Sequence, residues 1–230
     1  MEGRHGDTMI GKATLAVVLI AGGKSTRMGR DKAGLLDRTG RELWKGRLEL
    51  LQELKPMEVL ISCREDQEYL AQSGARLVFD QWEDAGPLGG IVGCLEAMES
   101  QRLLVLAVDL PGMTRPGLEM LLAEAEAGEC ACPPLPTQRA VDARPLLSGG
   151  ARTGALFQHA GFLEPLAAVY PKWMSESGRR RLGRGELALR DWIAEAGEAM
   201  RIVEAPARWP GLLVNVNDPA AWDQWMSGMC

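Results

Sequence analysis

The sequence predicts an α/β fold: a single domain on a doubly wound, mostly parallel sheet flanked by helices. Three observations predict it. Short apolar runs closed by Gly, Pro or Asp alternate with longer stretches of helical periodicity, the pattern of strands joined by helical crossovers. The residues with evident chemistry fall just after those runs, at the carboxyl ends where such sheets bind ligands. A chain of 230 residues, 46% of them apolar, suffices for one packed domain.

In chain order, residues 1–14 are polar and read as a flexible extension. Leu15–Ile20 is a short aliphatic run stopped by Gly22-Gly23, hence a buried strand. Arg41–Leu54 places Leu43, Leu50, Leu51 and Leu54 on one helical face, with Pro56 beyond its end. Glu58–Ser62 reads as a strand, Glu65–Ser73 as a short helix stopped by Gly74, and Ala75–Phe79 as a strand. Leu88–Glu99 is a helix introduced by Gly86-Pro87, Leu103–Val108 a strand, and Arg115–Ala127 a helix. Cys130–Gly154, rich in Pro and Gly, breaks the alternation. Beyond it the sequence predicts a strand at Gly161–Leu163 and a helix from Glu164 through Trp173. A helix over Gly185–Ala196, a strand over Met200–Ala205 and a final helix over Pro219–Met226 follow.

Composition excludes several functions. The net charge of −5 and pI near 5.3 argue against a nucleic-acid binder. No apolar run approaches the roughly 18 residues of a membrane span. Five cysteines at 63, 94, 130, 132 and 230 include no C-x-x-C, and the histidines are only His5 and His159. A zinc site is therefore not predicted, and free thiols indicate a reducing, cytoplasmic location.

One stretch concentrates the chemistry: Val18-Leu-Ile-Ala-Gly-Gly-Lys-Ser-Thr-Arg-Met-Gly-Arg-Asp-Lys32. Glycines allow backbone N–H groups to turn inward, and Lys24, Arg27, Arg30 and Lys32 stand against the single Asp31. That combination suits a polyphosphate. It is not a Walker A loop, because position 18 is Val where that motif needs Gly, and no G-x-G-x-x-G fingerprint is present. Two further carboxylates follow strands: Asp80, ahead of Gly86-Pro-Leu-Gly-Gly-Ile91, and Asp109, in Leu106-Ala-Val-Asp-Leu-Pro111. Asp80 also fits a plain loop leading into a helix, and Asp109 a turn before Pro.

Ala21, Gly22, Gly23, Ser25, Arg27, Met28, Gly29, Asp31 and Lys32 match the L-x-A-G-G-x-S-x-R-M-G-x-D-K signature of nucleotidyltransferases. The chain most resembles the molybdenum cofactor guanylyltransferase family. Relatives acting on sugars or isoprenoid precursors usually carry Pro-Lys in place of Asp31-Lys32. The resemblance covers about residues 15–225. It implies a Rossmann-like nucleotidyltransferase fold with a nucleotide-binding half at 15–127 and an acceptor half at 128–230.

The resemblance also implies roles. Ile20, Ala21, Gly22, Gly23, Lys32, Cys63, Asp80 and Asp109 would contact the nucleotide; Cys63 or Ser62 stands where the family often has an Asn that touches the base, and Ile61-Ser-Cys-Arg64 departs from its Ser-x-Asn-Arg. Asp109 would hold Mg²⁺, a hard cation suited to carboxylate and phosphate oxygens. Lys32, Arg27 and Asp109 would be catalytic. Glu164, Pro165, Leu166 and Tyr170 resemble the family's E-P-L-x-x-x-Y, and Asn215 and Asn217 its closing N-x-N-x-P, both on the acceptor side. Asn217-Asp218-Pro219 equally fits the cap of the last helix. The basic run of Lys172, Arg179, Arg180, Arg181, Arg184 and Arg190 reads either as a solvated helix face or as an anchor for an anionic acceptor.

The implied substrates are GTP and the molybdopterin cofactor, with molybdoenzymes or cofactor-delivery proteins as partners of the product. Two alternatives stand beside this reading. One is a related enzyme using CTP or another phosphorylated acceptor; the other is a non-catalytic nucleotide-binding protein on the same fold.

Overall fold

The most apolar runs form the centre of a seven-stranded sheet. The structure, a computed structural model, describes residues 15–23, 31–82, 84–127 and 154–228. Strands β1 (Leu15–Ile20) and β4 (Arg102–Ala107) are buried at every position, as expected where helices cover both faces. β1 lies between β2 (Glu58–Cys63) and β4, with β3 (Arg76–Phe79) outside β2, all parallel.

Helix α1 (Leu43–Gln52) returns β1 to β2, and α2 (Gly86–Ala97) returns β3 to β4. The two crossovers travel in opposite directions across the sheet. Right-handed connections therefore put α1 and α2 on opposite faces and open a crevice beyond the carboxyl end of β1.

The sheet continues past β4 in the order β3-β2-β1-β4-β6-β5-β7, with β5 at Gly154–His159, β6 at Phe162–Pro171 and β7 at Met200–Glu204. β6 is antiparallel to both neighbours and β7 parallel to β5, so β6 alone runs backwards. Its first residues, not its last, therefore stand at the rim above β1.

Helix α3 (Arg115–Ala127) packs beneath β5, β6 and β7. Arg102 of β4 reaches Glu126 on that side, one position out of phase with Leu103, which is registered opposite Tyr170. Tyr170 points to the other face and stacks on Trp192 of α5 (Leu189–Ala196), ring centroids 5.1 Å apart. Helix α4 (Met174–Gly183) packs against α2. A Cβ on Gly178 would overlap Val92 and Trp192, so glycine there lets the three helices meet. The last helix, α6 (Pro219–Ser227), is capped by Asp218, whose carboxylate accepts from Ala221 N at 2.9 Å.

The parallel half follows the predicted order, with 3₁₀ rather than α-helical geometry at Glu68–Ser73. The second half corrects one expectation and adds two elements. Residues 164–173 are not a helix: Glu164–Pro171 belong to β6. Pro165 mimics a helix start, but it sits where the β5 pairing jumps from Leu156↔Ala168 to Phe157↔Glu164, an irregularity that needs no N–H from Pro.

β5 was not predicted, and neither was its turn to β6. Ala160 (φ 49°) and Gly161 (φ 81°) form the turn, both in the left-handed region that a two-residue hairpin requires. α4 was also not predicted. Its buried positions Met174, Gly178, Arg181 and Leu182 keep helical spacing, but two of them are a glycine and an arginine. The extension at 1–14, Arg27 and the 130–153 stretch lie outside the described residues.

Candidate active site

The stretch after β1 is pinned to the neighbouring strands. Ala21 N and Gly22 N both donate to Ser62 O, at 2.9 and 3.0 Å, and Val108 N donates to Ile20 O at 3.1 Å. The ends of β1, β2 and β4 thus share one rim. Ten residues further on, Asp31 closes a local turn: its Oδ1 accepts from Ala33 N at 3.1 Å, and Lys32 O accepts from Leu35 N at 3.1 Å. Ala33 and Leu35 are buried, so Lys32 projects from a fixed base.

Lys32 Nζ donates to Asn217 Oδ1 at 2.5 Å and lies 3.3 Å from Asp109 Oδ2. Asp109 follows β4, and its carbonyl accepts from Val216 N at 3.0 Å. That bond draws the Asn215–Asn217 segment onto the rim.

A cavity of about 500 Å³ opens over this rim, within the range of small-ligand sites. Ile20, Ala21, Gly22, Gly23, Lys32, Asp80 and Asp109 line it together with Leu166 from β6. The start of α2 forms the opposite wall. There a Cβ on Gly90 would overlap Ser62 Oγ, so the bare backbone lets the helix close on Ser62 and Asp80. Arg64 and Trp82 also line the cavity and were not among the predicted contacts; of Ser62 and Cys63, either of which could stand where the family has its Asn, Ser62 is the one that lines it. Strand alternation carried the signal: Ser62 and Arg64 share one face, and Cys63 takes the other.

Several predicted residues stand elsewhere. Cys63 is fully buried, and burial pushes its thiol up to about 11, so it is an inert core residue and not part of the cavity. Tyr170 is likewise buried, its hydroxyl donating to Pro165 O at 2.9 Å; a strand in place of a helix turns it into the core. Pro165 therefore serves that hydrogen bond. Glu164 is largely buried close to Asp109, and one of its oxygens accepts from Leu166 N at 3.1 Å. Asn217 joins Lys32 instead of standing apart on an acceptor surface, while Asp218 does the capping.

Half of the basic run is spent on carboxylates: Arg179 on Glu96, Arg180 on Glu176, and buried Arg181 on Glu186, Asp191 and Glu195; Lys172 donates to Met98 O, and Arg190 lies over the Phe162 ring. Glu96 sits in the last turn of α2, whereas the cavity touches its first, roughly 10 Å away at 1.5 Å per residue.

The electrostatics favour a cation. Burial raises the pKa of Asp80 against the pull of Arg64 and a Ser62 hydrogen bond. It raises that of Asp109 against Lys32. It raises that of Glu164 too, and the nearby Asp109 charge adds to the rise. Asp109 Oδ1 and Asn215 Oδ1 are both buried without a hydrogen-bond partner. Unpaired buried oxygens are costly and suit a hard cation that supplies the missing charge. No cluster of three or more His, Cys, Asp or Glu side chains forms a cage among the described residues, so phosphates and water would complete the shell.

A glycine turn, a lysine and an acid meet at the topological switch point of a mixed sheet, the layout of the nucleotide-binding α/β class. Sequence comparison narrows that class. The profile of the MobA-like NTP transferase domain matches residues 17–200, and the chain belongs to that family. It is 30% identical over 217 residues to an Opitutus terrae protein named "Probable molybdenum cofactor guanylyltransferase", covering 92% of this chain and 95% of that one. It is 28% identical to the "Molybdenum cofactor guanylyltransferase" of Pseudomonas putida, covering 89% and 93%. The fold matches the crystal structure of molybdopterin-guanine dinucleotide biosynthesis protein A from Archaeoglobus fulgidus. That match has a TM-score of 0.68 at 19% identity and covers 93% of this chain and 98% of that one. No helix among the described residues is long and apolar enough to cross a membrane.

Proposed function

We infer that this protein is a molybdenum cofactor guanylyltransferase, moving GMP from GTP to the terminal phosphate of the molybdopterin cofactor. Family membership and the named relatives support the substrates. The observation that carries the chemistry is Lys32, held between Asp109 and Asn217 on the wall of the cavity.

An oxygen of the acceptor phosphate attacks the α-phosphorus of GTP in line. The new P–O bond forms as the bond to the β-phosphate bridge breaks, and pyrophosphate carries the electron pair away. The attacking phosphate is already anionic, so no general base is needed; positioning and charge neutralisation do most of the work. The turn at Gly22 and Gly23, anchored by the Gly22 N–H on Ser62 O, carries no side chain and lets the phosphates approach the backbone on that side of the cavity. Lys32, with Arg27 assigned by resemblance, offsets charge on the leaving pyrophosphate. Asp109, with Asn215 beside it, would hold Mg²⁺, which would supply positive charge against the phosphates. Asp80 and Ser62 meet the nucleoside side, and Glu164 with Leu166 the acceptor side. The setting is cytoplasmic, and molybdoenzymes or cofactor-delivery proteins receive the product.

The test is pyrophosphate release with the molybdopterin acceptor and each of the four nucleoside triphosphates in turn. GTP and Mg²⁺ should be required. Equal turnover with CTP would remove the guanylyl assignment, and nucleotide binding without pyrophosphate would make the protein a binder.

A further inference from the structure

We propose that Gln67 is a positioning residue that fixes the span between the two ends of the glycine-rich stretch, and so sets Lys32 against the backbone of Gly22 and Gly23. The proposal rests on reading that stretch as the nucleotide phosphate site.

Gln67 is 1% exposed, between β2 and the 3₁₀ helix. Its amide has two N–H donors and a carbonyl acceptor, and a buried amide is costly unless these are bonded. All are used. Nε2 donates to Ala21 O at 3.1 Å and to Asp31 Oδ2 at 2.7 Å, and Oε1 accepts from Arg64 N at 3.0 Å. The two acceptors are the first residue after β1 and the residue before Lys32. One rigid planar group thus joins the two ends of the stretch.

Its neighbours reinforce the same points. Tyr69 Oη donates to Asp31 Oδ2 at 2.9 Å, Arg64 Nη2 lies 3.6 Å from the same oxygen, and Arg64 also donates to Gly23 O. Asp31 Oδ1 shapes the turn that carries Lys32. A shift of the Gln67 amide therefore moves Lys32 relative to Gly22 and Gly23, although Gln67 itself is outside the cavity lining.

The test uses the full chain with Mg²⁺, GTP binding by calorimetry and turnover by pyrophosphate release. Gln67→Met keeps the length and removes all three bonds. Gln67→Glu sets a carboxylate against Asp31, and adding Asp31→Asn returns a donor to that pair. Both single variants should weaken GTP binding by about tenfold or more, the effect of losing one or two buried hydrogen bonds, with the acceptor KM within about twofold of wild type. The double variant should recover at least about a third of the GTP affinity lost in Gln67→Glu. GTP affinity and kcat within about twofold of wild type in folded Gln67→Met, or no recovery in the double variant, overturns the proposal.

If the Gln67 variants do not fold, Tyr69→Phe decides. Removing one hydroxyl from Asp31 should weaken GTP binding about threefold at an unchanged melting temperature, and unchanged affinity overturns the proposal. A wild-type chain that binds no GTP overturns the reading of the site, and this proposal with it.

Discussion

Lys32 and Asn217 are 185 positions apart and share a 2.5 Å hydrogen bond. With Asp109 as a further partner, the ammonium ties together three elements: the turn after the glycine-rich stretch, the end of β4 and the segment leading into α6. Lys32→Ala should cut pyrophosphate release by about 100-fold or more, the scale of a lost preorganised electrostatic group. Asn217→Ala should cost only about tenfold in kcat, because Asp109 still orients the lysine. Asp218→Ala should leave kinetics intact and lower the melting temperature by about 2–4 °C through loss of the cap.

Asp109→Asn keeps the shape and removes the charge. Two stability effects then oppose each other: relief of a buried carboxylate, and loss of the counter-ion of Lys32. The melting temperature should stay within about 3 °C of wild type. The Mg²⁺ requirement should rise and the rate fall by about 100-fold, read from pyrophosphate release across a Mg²⁺ titration. Normal turnover at the usual Mg²⁺ concentration would show that Asp109 only makes a turn.

Glu164 gives a pH prediction. Its pKa is raised in the folded chain, first by burial and then by Asp109, so the folded state holds the proton more tightly than the unfolded one. The penalty is absent below the ordinary carboxylate range, grows as pH rises through the raised value, and is fully present above it. Glu164→Gln should therefore melt about 2–4 °C higher than wild type at pH 7.5 and equal to it near pH 4, by calorimetry without ligand. An equal gap at both pH values would rule out the buried charge as its cause.

The arginines of α4 separate into two kinds. Arg179 and Arg180 make exposed pairs, which contribute little, so replacing both by Ala should leave the acceptor KM and GTP affinity unchanged. Arg181 is buried with three carboxylates around it. Arg181→Ala should lower the melting temperature by about 4–8 °C, discounted because its partners reach solvent. A raised acceptor KM in the Arg179/Arg180 variant would restore the sequence-based expectation of an acceptor anchor.

The nucleotide half was legible because its signals are local. Leu15–Ile20 and Leu103–Val108 are buried runs that announce themselves, and the motifs directly follow them. The half of the chain after Ala127 depends on contacts that sequence spacing does not carry. Glu164-Pro165 has the chemistry of a helix start, and only the β-pairing irregularity shows why Pro is tolerated in a strand. Ala160-Gly161 lacks the Asn-Gly that marks such a hairpin. Arg181 hides the helical period of α4 by being buried with its counter-charges. At the site, Gln67 and Tyr69 were invisible because their partner, Asp31, lies across a long stretch of chain.

The reversed direction of β6 has a consequence for how this scaffold can change. β1, β2 and β4 bring the chain to the cavity as they finish, so altering their loops disturbs the residues that line it. β6 brings its opening residues there straight from the Ala160-Gly161 turn. Lengthening that turn, or exchanging Phe162 and Leu163, remodels the ground in front of Glu164 and Leu166 without touching the hydrogen bonds that hold Ala21, Gly22 or Lys32. With Glu164 and Leu166 on the acceptor side, as proposed above, the hairpin is the place where a new acceptor could be selected by an engineer, or by descent, while the donor nucleotide stays the same.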